Sequence, residues 1–205
     1  MTAIRFPDRS AIRFAVTALL SIALLWTGQP RAADLDDALI LVANPKLQDR
    51  LYGATILIAK PMGDDGHVGF IVNRPTSMTL GRLFPEHGPS QKVPDPVYLG
   101  GPFSAQMIFA LVQRSASPGG RSIQLMPDLF VVADTETVDR IIEADAAHAR
   151  FFTGLVAWQP GELREELKRG LWYVLEPESD LVMRKQTEGL WEELVKRSER
   201  IANAI

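Results

Sequence analysis

Three short stretches of this chain hold residue types that could do chemistry. Asn73-Arg74-Pro75 sets an amide beside a guanidinium, whose planar fork suits bidentate contact with a carboxylate or phosphate. The plainer reading is a strand end capped by Asn73, with Arg74 in water. Gly100-Gly101-Pro102 could turn backbone N–H groups toward an anion. A tight turn into the next strand explains the same residues, and the Gly-x4-Gly-Lys spacing of a phosphate loop is absent. Trp158, Gly161 and Glu165 could floor a pocket at a strand-to-helix junction, where α/β proteins often seat ligands. Core packing with acids at a helix N-terminus is the rival there. The candidate ligand-binding set is therefore Asn73, Arg74, Gly100, Gly101, Pro102, Trp158 and Gly161.

Other chemistries find little footing. Cysteine is absent, which excludes thiolate catalysis, disulfides and cysteine-based zinc sites. His67, His87 and His148 are far apart and lack paired-ligand spacing. No Gly-x-Ser-x-Gly elbow occurs, Ser104 has no evident base, and Asp64-Asp65 sits in a turn without the ligand series of a calcium loop. Glu162, Glu165 and Glu166 read as a solvated helix face. No catalytic residue, metal or cofactor is expected.

The elements that must position these residues are mostly strands. Gly66 to Asn73 alternates Val68, Phe70 and Val72 with Gly69, Ile71 and Asn73, so it reads as a strand apolar on both faces in mid-sheet. Gly63-Asp64-Asp65-Gly66 is a turn joining it to a strand from Thr55 to Lys60. Further strands are predicted at 38–43, 97–99, 107–112, 122–125, 129–133, 151–158 and 171–175. The pattern predicts a helical turn over Pro45 to Leu51 and a short helix from Ser77 to Phe84 capped by Ser77 or Thr79. It also predicts a helix from Asp134 or Thr135 to Ala147, one opened by Pro160 and stopped by Gly170, and a C-terminal amphipathic helix around Leu190, Trp191, Leu194 and Val195. A mixed sheet covered by helices follows.

The first 33 residues differ in kind. Arg5, Arg9 and Arg13 precede a run of 13 mainly apolar residues, Phe14 to Trp26, and small residues follow up to Ala33. That run fits the 7–15 residues of an export-signal core and falls short of the ~20 needed to span a bilayer. The expectation is a cleaved signal, with an uncleaved inner-membrane anchor, or a mis-assigned start or buried helix in a cytoplasmic protein, as alternatives, and a domain over 34–205. Cleavage would leave a periplasmic or secreted product; membrane contact is expected only through the N-terminal segment where it is retained. Removing four arginines and Asp8 from the chain's 22 basic and 25 acidic residues leaves 18 and 24, a net charge of −6. An acidic domain repels phosphate backbones, so direct nucleic-acid binding is disfavoured.

Five motifs then occur in order. They are Leu41-Val42-Ala43 with Pro45, Leu47 and Asp49; Gly69 to Pro75; Leu99-Gly100-Gly101-Pro102; Gly154 to Trp158; and Pro160-Gly161-Glu162-Leu163 with Glu165 or Glu166. Their order and spacing resemble the bacterial YqgE/AlgH family over roughly Asp34 to Leu194. The resemblance implies a compact α/β domain with a mixed, partly barrel-like sheet flanked by helices, uncharacterised in function, with no agreed catalytic residues or cofactor. Some members carry the name of transcriptional regulators of exopolysaccharide synthesis. Departures are Leu155-Val156-Ala157 before Trp158 in place of Tyr-Ala-Gly/Ser, Glu162 in place of glutamine, and Val112-Gln113 where a histidine is common. The leading expectation is a non-enzymatic envelope domain that binds a protein partner or small ligand. A cytosolic regulator and an uncharacterised hydrolase are the alternatives.

Overall fold

A computed structural model of the chain describes Leu35 and residues 37–204. The predicted export segment and the boundary at 33/34 lie outside the described residues. Ten strands form one curled sheet: β1 (Leu39–Ala43), β2 (Ile56–Met62), β3 (Gly66–Ile71), β4 (Pro75–Thr79), β5 (Pro96–Leu99), β6 (Phe103–Gln113), β7 (Ser122–Met126), β8 (Leu129–Val132), β9 (Ala149–Trp158) and β10 (Trp172–Leu175). The main order is β10-β1-β2-β3-β9-β6-β8-β7, antiparallel throughout; β4 pairs with β5, and β5 runs parallel to β9. The sheet is thus mixed and forms a half-barrel, with helices α1 (Leu80–Leu83), α2 (Thr135–Ala144), α3 (Glu162–Lys168), α4 (Ser179–Met183) and α5 (Leu190–Asn203) around it.

Side-chain alternation explains why so many strands are wholly apolar. Ile40, Val42, Ile56, Ile58, Phe70 and Val72 point into the half-barrel, where α4 and α5 cover them through Leu181, Val182, Leu190 and Leu194. Leu39, Leu41, Leu57, Ala59 and Ile71 point the other way, against Leu163 of α3 and the segment carrying Leu47, Leu51 and Tyr52. Both faces are buried, which favours apolar side chains at successive positions. Each such aliphatic side chain contributes roughly 1.5–3 kcal/mol on full burial.

Strand β9 joins the two halves and changes face midway. Phe152 lies in the inner core, whereas Val156 and Trp158, at the same parity, lie in the outer one. The switch is at Gly154, which has φ +69. A one-residue irregularity there resets the alternation and turns Trp158 outward, toward α3.

Some local expectations change. Pro45 to Leu51 is not a helical turn; Asn44 and Asp49 instead accept the backbone N–H groups of Lys46, Leu51 and Tyr52 and hold two polar turns. Part of the predicted Ser77 helix is strand β4, and Thr79 caps the single remaining turn, α1. Pro160 precedes α3 rather than opening it, because Gly161 takes the left-handed N-cap position at φ +84. Among the described residues no helix is long and apolar enough to cross a membrane.

Candidate functional site

Strand β9 passes two groups of candidate residues, and their polar atoms are used differently. Near its middle lie Asn73, Arg74 and the glycine pair. The Asn73 side chain accepts from Ile56 N (2.8 Å) and donates to Ala54 O (3.0 Å), extending the β2–β3 ladder by one step. Arg74 Nη2 donates to Gly53 O at 2.7 Å. Both residues fasten the turn that feeds β2, in which Ala54 has a positive φ.

Gly100 donates its N–H to Thr153 O and accepts from Ile71 N, both at 2.8 Å, so this part of the turn serves the sheet. Here the β5–β6 connection crosses β9 backbone on backbone. A Cβ at Gly100 would stand 2.3 Å from Gly154 O, and one at Gly101 would stand 2.2 Å from Leu155 O. Only glycine permits that approach.

Five residues further along β9, about 17 Å at strand rise, an open cleft of about 620 Å³ lies between the strand's end, Tyr52 and α3. Its walls are aromatic. Trp158 and Trp172 form the floor, Tyr52 meets Trp172 edge-on at 6.4 Å between centroids, and Phe103, 53% exposed, stands on the rim. The Trp158 ring lies over Gly69, where an added Cβ would be 2.9 Å from Cζ3.

One carboxylate organises the cleft. Glu166 Oε2 accepts the indole N–H of Trp158 at 3.0 Å and that of Trp172 at 2.7 Å. Two side chains fourteen residues apart in sequence are thereby pinned by one oxygen. Glu166 is half-buried instead of part of a solvated face, which corrects the sequence expectation for that residue; Glu162 and Glu165 are exposed as expected. Glu162 Oε2 accepts from Gln159 N (2.7 Å), and Glu165 pairs with Lys168 (2.6 Å). Burial, and after it the negative charges of Glu166 and Asp49, push the Tyr52 phenol above its ordinary value of 10.0.

Of the predicted set, the structure brings Trp158 and Gly161 into the cleft, leaves Asn73, Arg74, Gly100 and Gly101 in the frame, and sets Pro102 exposed just before β6, outside the cleft lining. Sequence reasoning missed Tyr52, Phe103, Glu166 and Trp172. The available signal was Glu162 and Glu166 at i and i+4 on one face of α3, with a tryptophan on the strand before the helix and another on the strand after it.

The histidines are engaged separately. His67, buried across from Trp158, lies 3.2 Å from Leu35 O through Nε2; His87 meets Ser90, and His148 meets Asp145. No group of three or more potential metal ligands occurs among the described residues.

With this geometry in hand, comparison with known proteins places the chain. The AlgH-like family, DUF179, matches residues 40–201. The chain belongs to that family. A UPF0301 protein of Thermobifida fusca is 29% identical over 77% of this chain and 84% of its own length. A UPF0301 protein of Streptomyces coelicolor is 28% identical over the same shares. The solution structure of the AlgH protein from Pseudomonas aeruginosa superposes with a TM-score of 0.66 at 21% identity, covering 82% of this chain and 91% of that one. The crystal structure of protein DIP2367 from Corynebacterium diphtheriae gives 0.65 at 22% identity, over 84% and 92%. At such identities these structures establish a shared fold.

Proposed function

We propose that this AlgH-like chain is a non-catalytic binding domain of the cell envelope, with its ligand site in the cleft between the end of β9 and α3. The observation that carries this is the Glu166 carboxylate shared by the two indole N–H groups. Pinning both rings fixes the aromatic surface before a ligand arrives, which lowers the ordering cost of binding. It also commits Glu166 Oε2 to positioning, because that oxygen already accepts both N–H groups. The envelope assignment rests on the basic, then apolar, then small-residue pattern of residues 1–33.

Two measurements test this. A fragment library titrated into the protein is read through the indole N–H signals of Trp158 and Trp172, with Trp191, whose N–H donates to Ala43 O, as internal reference. Saturable shifts confined to the cleft pair are expected; hits that move other regions and spare these two signals remove the site. Cell fractionation with mass spectrometry of the N-terminus is expected to find a start near Ala33 outside the cytoplasm. An intact Met1 in the cytosol overturns the envelope assignment.

A further inference from the structure

Resting on that cleft as the ligand site, we infer that its ligand is an organic cation: a guanidinium or alkylammonium head on an apolar stem. Four aromatic rings, of Tyr52, Phe103, Trp158 and Trp172, line the space. Ring faces attract cations, and indole attracts them best. Donating an N–H to a carboxylate pushes electron density into the ring, so the contact that pins Trp158 and Trp172 also strengthens their faces as cation acceptors.

The charges point the same way. Three carboxylates line the cleft, those of Glu162, Glu165 and Glu166, against one guanidinium, Arg169. Lys168 neutralises Glu165. Glu162 and Glu166 accept only neutral N–H donors and have no cationic partner within 4 Å among the described residues. An anionic ligand would meet these two charges with Arg169 alone to offset them, and a neutral one would leave them without a counter-ion. Trp158 and Trp172 are each 6% exposed, so a cation on a short stem meets the indoles along the part that lines the cleft and sets its head toward Glu162.

The test uses three probes, each with an unbranched five-carbon chain that in the last two includes the head-group carbon: pentylguanidinium, pentanamide and pentanoate. The full chain is titrated with each, read at the Trp158 and Trp172 indole N–H signals. Pentylguanidinium is expected to give saturable shifts at both, weakened about threefold or more by high salt and by Glu162→Gln, an exposed change that keeps side-chain shape. The two neutral and anionic analogues are expected to bind at least about tenfold more weakly. Saturable shifts with pentanamide or pentanoate but none with pentylguanidinium overturn the cation inference and leave the cleft as a ligand site. No shift with any of the three probes or the fragment library removes both. An acetylated Gly-Arg-Gly amide separates the sources of the cation. Tighter binding than pentylguanidinium assigns it to a protein segment, and equal binding to a free small molecule; both support the inference.

Discussion

Arg150 and Glu166 lie toward opposite ends of β9, and each holds a charge without a counter-ion at ion-pair distance among the described residues. Arg150 is 2% exposed. Its guanidinium donates to Val182 O and to Val72 O (the latter at 2.6 Å), and its carbon sits 3.9 Å over the Tyr98 ring. Burial lowers its pKa from the usual arginine value, while Tyr98 and Asp95 offset part of that effect. Glu166 inverts the arrangement: an anion held by N–H donors on aromatic rings. Both charges are held by dipoles and aromatic groups, although the buried Nε of Arg150 has no hydrogen-bond partner among the described residues. The difference is access. The cation is sealed inside the half-barrel, where it ties β9 to the end of β3 and to α4, and the anion lines an open cleft. The same chemistry serves as a strut in one place and leaves an unspent charge at the surface in the other.

Removing the strut should have the largest effect. Arg150→Ala opens a cavity in the inner core and takes the donors from two buried carbonyls, so a loss of about 3–5 kcal/mol is expected in urea unfolding. Arg150→Met keeps most of the volume and should lose about 1–3 kcal/mol from the orphaned carbonyls alone. Replacing a buried charge with a well-packed apolar side chain stabilises some proteins. If Arg150→Met is as stable as the parent, the strut reading fails and Arg150 is merely tolerated.

Neither charge was legible as buried in the sequence, whereas most of the strands around them were. Leu39–Ala43, Ile56–Ala59 and Leu129–Val132 announce themselves because both faces are buried and the runs are continuous. The Gly63–Gly66 turn is local chemistry, with Gly63 and Asp65 both at positive φ. Arg150 carries no such mark: its partners Tyr98 and Val182 are distant in sequence, and a charge beside Phe151 reads as a strand boundary. Glu166 is similar, because its burial depends on where Trp158 and Trp172 fall once Gly154 has switched the face of β9. Strand β4 was missed because Pro75-Thr-Ser-Met-Thr79 has no apolar alternation and pairs only with the short β5. Local pattern reveals elements; which polar group ends up between them is decided by long-range contacts.

The cleft's half of the comparison depends on how the Trp158 ring is seated. Gly69→Ala would place a methyl 2.7 Å from Ile58 O and 2.9 Å from the indole. Overpacking of this kind costs about 1–3 kcal/mol. The ring is expected to tilt off Glu166, moving the Trp158 indole N–H signal while that of Trp172 keeps its partner. If both indole signals stay in place, the ring is not seated on Gly69 and the cleft is less fixed than its hydrogen bonds imply.

The smallest effect reads the unspent charge directly. Tyr52 is raised above 10.0 first by burial and then by Glu166 and Asp49. A group whose folded pKa is raised keeps its stabilising contribution below the unfolded value and loses it as pH climbs toward the folded one. Some stability should therefore drain away above pH 10, and Tyr52→Phe should remove that portion. Glu166→Gln takes away one of the two negative neighbours and leaves burial in place. The phenolate absorbance of Tyr52, isolated by subtracting the Tyr52→Phe titration, should then move toward 10 without reaching it, and the alkaline loss should shrink. An unchanged midpoint would mean that the Glu166 charge does not reach the aromatic wall. In that case Glu166 would be as closed off as Arg150, and the contrast between the two ends of β9 would reduce to depth alone.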